Sequence, residues 1–195
     1  MTQEKPKKSA AALLMYGLIA FGVILTLICF GLYYGGTCTS STLLWVGVTA
    51  FTVTYHLWMR IILGNVTKLF SIRYTHPWFA QRSFEPTLYR LLRVKRWKNK
   101  VLTYNPELFS LTDYSLDEVA NTMAKAETDH WVNQLISLST LLFGLIWGEV
   151  WIFALTALFA MAFDGQFIVI QRYNRPRILR IMTKKQQTPQ PAHIG

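Results

Sequence analysis

The sequence predicts an all-α integral membrane protein: four transmembrane helices in two hairpins, with a cytoplasmic, partly interfacial helical segment between them. Three observations carry this. Hydrophobic residues make up 52% of the 195-residue chain and charged residues only 15%, well below the usual quarter. Four apolar stretches approach the roughly 20 residues that a helix needs to cross the hydrocarbon. All 20 lysines and arginines lie outside Gly35-Gly36 and Gly148-Glu149, the short connections within the two hairpins. A chain of this length is one domain by prior. Its topology divides it into a tail (1–9), a first hairpin (10–60), an intervening segment (61–130), a second hairpin (131–171) and a basic motif with its tail (172–195).

The tail carries Lys5, Lys7 and Lys8. The first span, Ala10–Tyr34, holds no charge in 25 residues. It is too long for the apolar part of a signal peptide, and a second span follows at once. Gly31 and Gly35 have the spacing that lets two membrane helices approach closely, but a glycine-rich hairpin turn is the simpler reading. The second span, 37–59, is also uncharged. Cys29 and Cys38 are too few for a disulfide framework. His56, four residues before Arg60, fits a polar packing role near the inner boundary.

In the intervening segment, residues 63–79 mix Lys68, Arg73 and His76 with Phe70, Trp78 and Phe79, the pattern of an interfacial helix. Residues 84–101 are denser in charge, with Arg90, Arg93, Lys95, Arg96, Lys98 and Lys100 around the aromatic Trp97. They fit a solvated basic face on anionic lipid or a site that captures a phosphate-rich substrate. No nucleic-acid motif accompanies them, so nucleic acid is not an expected partner. Residues 104–114 read as loop, with Asn105-Pro106 as a turn signal. Ser115 and Glu118 then match a capping box. Leu116, Val119, Met123 and Ala126 form a stripe at helical spacing, and the helix should run unbroken into the third span, 131–148.

Glu127 and His130 stand at i and i+3, on one face of that helix. A carboxylate beside an imidazole can orient it as a general base. Glu-x-x-His is also half of a helical di-metal motif, but only one copy is present, so no metal is expected. In the fourth span, 150–170, Asp164 is the one charge. An ionisable residue at that depth faces the bundle or water and is a site candidate. Gln171-Arg172-Tyr173-Asn174-Arg175-Pro176-Arg177 follow directly. The residue before proline is biased out of the helical region, so the helix should end near Tyr173 or Asn174. The arginines fit membrane anchors, or a binding motif that gives the Tyr-Asn pair between them a purpose. The tail beyond Met182, with His193, should be disordered. By the positive-inside rule both termini and the middle segment are cytoplasmic, which places the function at the inner face.

Several of these pieces occur together: Phe84-Glu85, Trp97-Lys98 with Lys100, Thr122, Ala126-Glu127, His130-Trp131 and the stretch from Gln171 to Arg177. In this order and spacing, residues 84–177 resemble the glycosyl-4,4'-diaponeurosporenoate acyltransferase family, small bacterial membrane enzymes of the staphyloxanthin pathway. The resemblance implies transfer of a fatty acyl group to a hydroxyl of a membrane glycolipid, with a carotenoid glucoside as acceptor, at the bacterial cell membrane. It implies no cofactor beyond the donor substrate, an acyl-CoA or acyl-carrier thioester. The expected partners are the lipid bilayer, the glycolipid acceptor and the donor; the oligomeric state is left open.

On that frame the residues take roles by their chemistry. His130 is the general base, Glu127 orients it, and Asn174 donates to the developing oxyanion. Arg172, Arg175 and Arg177, with Lys98 and Lys100, bind the donor phosphates, since guanidinium forks suit phosphate oxygens. Trp97, Asp164, Gln171 and Tyr173 complete the substrate-binding set. His56, His76 and His130 are followed at the fifth position by Ile61, Gln81 and Leu135, so the His-x-x-x-x-Asp chemistry of glycerolipid acyltransferases is not supported. A membrane adaptor that holds anionic lipid, or another small transferase acting on a lipid-linked sugar, are the alternatives.

Overall fold

The computed structural model describes residues 10–101 and 106–187, and among these residues it is helical, with no strand. The order is α1 (Ala10–Tyr34), α2 (Ser41–Val66), α3 (Glu85–Leu91), α4 (Val94–Trp97), α5 (Leu116–Ser139), α6 (Gly144–Trp147) and α7 (Val150–Gln187), joined by short 3-10 turns and loops. Three helical stretches are long and apolar enough to cross a membrane: Leu13–Tyr34, Ser41–Leu69 and Val150–Gln187. Leu13, Phe21, Ile24 and Leu27 of α1 are exposed, as lipid-facing side chains would be. The basic tail, Asn105 and the last eight residues with His193 lie outside the described residues.

The described residues form two compact units, residues 10–68 with 135–157 and residues 69–101 and 106–134 with 158–187. In the first, α1 and α2 are joined at Gly36, whose φ of +77° suits glycine. Gly35 N–H donates to the Gly31 carbonyl at 3.0 Å, and nothing stands near a Cβ built on Gly31. That glycine pair therefore shapes the turn. The close approach of the helices comes at Gly22, against Thr54, and at Gly47, where a Cβ would lie 2.8 Å from the Phe30 ring.

The uncharged run 131–148 does not form one long helix. α5 passes through Trp131 unbroken, as its pattern predicts, but ends at Ser139. There the Ser139 hydroxyl donates to the Ile136 carbonyl and the Thr140 hydroxyl to the Ser137 carbonyl, both at 2.7 Å. Hydroxyls that bond back to carbonyls compete with the helical ladder, and the chain tightens to 3-10 geometry over Thr140–Phe143. A single turn, α6, follows. Positive φ at Gly148 and Glu149 turns the chain into α7.

In the second unit the capping box forms as its spacing predicts. Ser115 N–H and Oγ both donate to Glu118 Oε2 at 2.8 Å, and Glu118 N–H returns a bond to Ser115 Oγ at 3.3 Å. Val119, Ala120 and Met123 of α5 form a core with Ile178 of α7, flanked by Leu116, Leu179 and Met182. This core explains a correction: α7 does not stop before Pro176. It continues to Gln187 with the proline inside, so residues 183–187 of the expected disordered tail are helical. The local bias of a pre-proline residue and the missing N–H are outweighed by burial of Ile178 and by the contacts of Arg175.

Residues 63–79 also differ from the interfacial helix expected there. α2 ends at Val66, a 3-10 turn covers Thr67–Leu69, and a loop leads to a second 3-10 turn at Pro77–Phe79. His76 Nδ1 caps that turn by accepting from Trp78 N–H at 3.2 Å. The reason this segment needs no helix lies in the arginines of α7.

Candidate active site

Four acidic or basic side chains in the second unit are almost fully buried: Glu127 (0% exposed), Arg175 (1%), Asp164 (1%) and Glu85 (4%). Buried charges persist only when paired and hydrogen-bonded, and these are. Arg172 Nε donates to Glu85 Oε1 at 2.7 Å and Nη1 to Glu127 Oε1 at 2.6 Å. Arg175 Nη2 forms an ion pair with Glu127 Oε2 at 2.7 Å. The same guanidiniums hold three successive backbone carbonyls: Trp78 and Ala80 accept from Arg172, at 3.3 and 3.1 Å, and Phe79 accepts from Arg175, at 2.9 Å. Carbonyls that would otherwise need a helical ladder are satisfied here, which keeps the Pro77–Phe79 segment in place.

Two expectations are corrected by this network. Glu127 does not orient His130, because its oxygens are taken by Arg172 and Arg175, with Trp131 Nε1 donating to Oε1 at 3.4 Å. Arg172 and Arg175 are not free to receive donor phosphates. Arg175 is buried, and every nitrogen of Arg172 has a protein acceptor.

His130 has a different carboxylate partner. Its Nδ1 lies 2.9 Å from Asp164 Oδ1, across 34 residues of sequence. Asn133 Nδ2 donates to the same oxygen at 3.1 Å. The Phe167 ring stacks on the imidazole at 4.6 Å and 5°. Gln134 Nε2 donates to the Met161 carbonyl at 2.9 Å, fixing α5 against α7 beside the pair. Asp164, and not Glu127, is therefore the carboxylate that contacts the His130 ring. A buried carboxylate that accepts from Nδ1–H leaves the lone pair on Nε2. His130 keeps 22% of its side chain exposed while Asp164 keeps 1%, so the ring is held at Nδ1 and remains partly accessible. That is the geometry of an oriented general base.

The remaining candidates fall in a second cluster. Lys98 Nζ donates to Asn174 Oδ1 at 3.0 Å and stands 5.6 Å from the Tyr173 ring centroid. The Arg177 guanidinium lies 4.1 Å over the same ring, with Nη2 donating to the Tyr173 hydroxyl. Asn174 is thus grouped with Lys98. It lies two turns of α7, about 10 Å of helical rise, beyond Phe167, so the structure does not place it at His130 as an oxyanion donor. Trp97 Nε1 donates to the Leu92 carbonyl at 2.9 Å, a local structural bond. Gln171 is buried and Lys100 exposed. The sequence reading gave no site role to Glu85, Tyr89, Asn133 or Phe167. For Glu85 and Asn133 a signal existed: Glu85 lies in one of the resembling motifs, and Asn133 stands one helical step from His130.

The family model described as glycosyl-4,4'-diaponeurosporenoate acyltransferase matches residues 75–184. That span contains Glu85, Lys98, Glu127, His130, Asp164 and the whole stretch from Gln171 to Arg177. No curated protein and no solved structure matches the chain.

Proposed function

Because this chain belongs to the glycosyl-4,4'-diaponeurosporenoate acyltransferase family, we propose that it moves a fatty acyl group from a thioester donor to a sugar hydroxyl of a membrane glycolipid, with His130 as the base. The observation that carries this is the oriented imidazole: Asp164 at Nδ1, Phe167 against the ring face, and a side chain that stays partly exposed. A sugar hydroxyl is a poor nucleophile near neutral pH. His130 Nε2 takes its proton as the oxygen attacks the thioester carbonyl, so the new C–O bond forms while the imidazole becomes imidazolium. Asp164 stabilises that charge. Collapse of the tetrahedral adduct breaks the C–S bond, and the imidazolium returns the proton to the departing thiolate. One ester and one thiol result, and no metal, redox partner or covalent enzyme intermediate is needed. The acceptor in this reading is a carotenoid glucoside-like glycolipid.

The test is purified protein with long-chain acyl-CoA and a glycolipid extract. Release of free coenzyme A that depends on the acceptor, with acyl glycolipid formed in equal amount, is the expected result. Thiol release that is the same with and without acceptor would exclude transfer.

We also propose that the reaction runs at the inner face of a bacterial cell membrane, with four crossings and both termini inside, residues 131–148 making the third crossing despite their broken helix. The support is the placement of the 20 basic residues. Reporter fusions after Gly36 and after Lys185 should report outside and inside. Both on one side would contradict the orientation.

A further inference from the structure

We propose that Lys98 and Arg177, held together on Tyr173, form a binding site for the phosphate groups on the carrier arm of the acyl donor. Two cations here share one aromatic ring. Among the described residues neither is paired with a carboxylate, whereas Arg172 and Arg175 both are. Like charges so placed repel. Burial first, and then the Arg177 charge, push the Lys98 ammonium below its ordinary value. An anion between or beside them removes that repulsion.

The two side chains are also positioned in advance, in three steps. Asn174 Oδ1 accepts from Lys98, and the Tyr173 hydroxyl accepts from Arg177. Tyr89 packs edge-on against Tyr173 at 5.4 Å, and its hydroxyl donates to Glu85 Oε2 at 2.8 Å. Glu85 in turn is clamped by Arg172. The paired arginines thus act as framework, and the pair of unpaired cations rests on it. Arg177 offers a planar fork and Lys98 a point charge, a combination suited to phosphate oxygens.

Position along α7 fits a donor that reaches the base from this site. Phe167, stacked on His130, and Arg177 are ten residues apart, about 15 Å of helical rise. A phosphopantetheine arm is a flexible linker on that scale, with phosphate at one end and thioester at the other. The assignment rests on the thioester-donor reading above.

The experiment measures equilibrium binding of coenzyme A itself to the full chain in phosphatidylcholine nanodiscs. The proteins are the parent, Lys98→Gln, Arg177→Gln and the double variant, with Arg177→Lys as the charge-retaining control. A parallel series adds phosphatidylglycerol to the nanodiscs. Each Gln substitution should weaken coenzyme A binding roughly tenfold or more, the double variant further, and Arg177→Lys less than Arg177→Gln. Thermal midpoints equal to the parent's would show that the framework is intact. A double variant that binds coenzyme A as tightly as the parent overturns the site. So does a parent that recognises phosphatidylglycerol through these two side chains and ignores coenzyme A, since the anion is then a lipid headgroup. Because binding is read without turnover, a chain that holds coenzyme A through Lys98 and Arg177 yet transfers no acyl group would refute the acyl transfer and leave the site standing.

Discussion

His130→Ala lowers the turnover of acyl transfer by roughly 10²- to 10⁴-fold, the usual contribution of a positioned general base, at a membrane abundance equal to the parent's. The loss should appear in kcat. The imidazole acts when the hydroxyl proton moves, and an interaction made only in the transition state lowers kcat and kcat/KM together. Coenzyme A binding should be unchanged, since Lys98, in the 3-10 turn Lys98–Lys100, and Arg177, ten residues beyond Phe167 on α7, make their contacts with Asn174 and Tyr173 and not with His130. The substitution also takes one partner from buried Asp164, which keeps the Asn133 amide, so a fall in thermal midpoint accompanies the loss and turnover is compared per folded protein. Turnover within about threefold of the parent would remove His130 from the chemistry.

Glu127→Ala acts on the fold. The carboxylate is fully buried between two guanidiniums. Arg172 keeps Glu85 when Glu127 is lost, but Arg175 keeps only the Phe79 carbonyl and the face of the Phe79 ring. Removing one partner of a buried pair costs about 3–5 kcal/mol, because it strands the other charge. For a chain of this size that corresponds to a fall in thermal midpoint of roughly 6–20 °C. The Trp78–Ala80 segment, whose carbonyls depend on these arginines, should become the most protease-sensitive part of the second unit. Replacing both charges, Glu127→Leu with Arg175→Met, should recover much of the loss, since an apolar pair of similar volume leaves nothing stranded. If Glu127→Ala kept the parent's midpoint and lost only turnover, Glu127 would belong to the reaction after all.

What the sequence discloses here follows the range of the interactions. The capping box is legible because Ser115 and Glu118 stand three residues apart in one chain segment, and their hydrogen bonds depend on little else. The run of α5 through Trp131 is legible for the same reason. The partner of His130 is not. Helical spacing offers Glu127, but Arg172 and Arg175 lie 45 and 48 residues further on and claim that carboxylate first. Only packing of α7 on α5 brings Asp164 to the imidazole. Sequence marks Asp164 as an odd charge in an apolar helix and cannot say what it faces. Pro176 misleads by the opposite route: its local signal is strong, and tertiary contacts of Arg175 and Ile178 override it. The basic residues divide into framework and site by whether an acid reaches them, and composition carries no trace of that division.

A turnover cycle on His130 and Asp164 shows most directly whether the two side chains act as one unit. His130→Ala, Asp164→Asn and the double variant are assayed for acyl glycolipid formation beside the parent, at equal membrane abundance and with coenzyme A binding measured for each. If Asp164 works only by orienting the imidazole, Asp164→Asn lowers turnover by itself, and adding it to His130→Ala costs almost nothing more. Losses that multiply in the double variant, or Asp164→Asn turnover equal to the parent's, would contradict the unit.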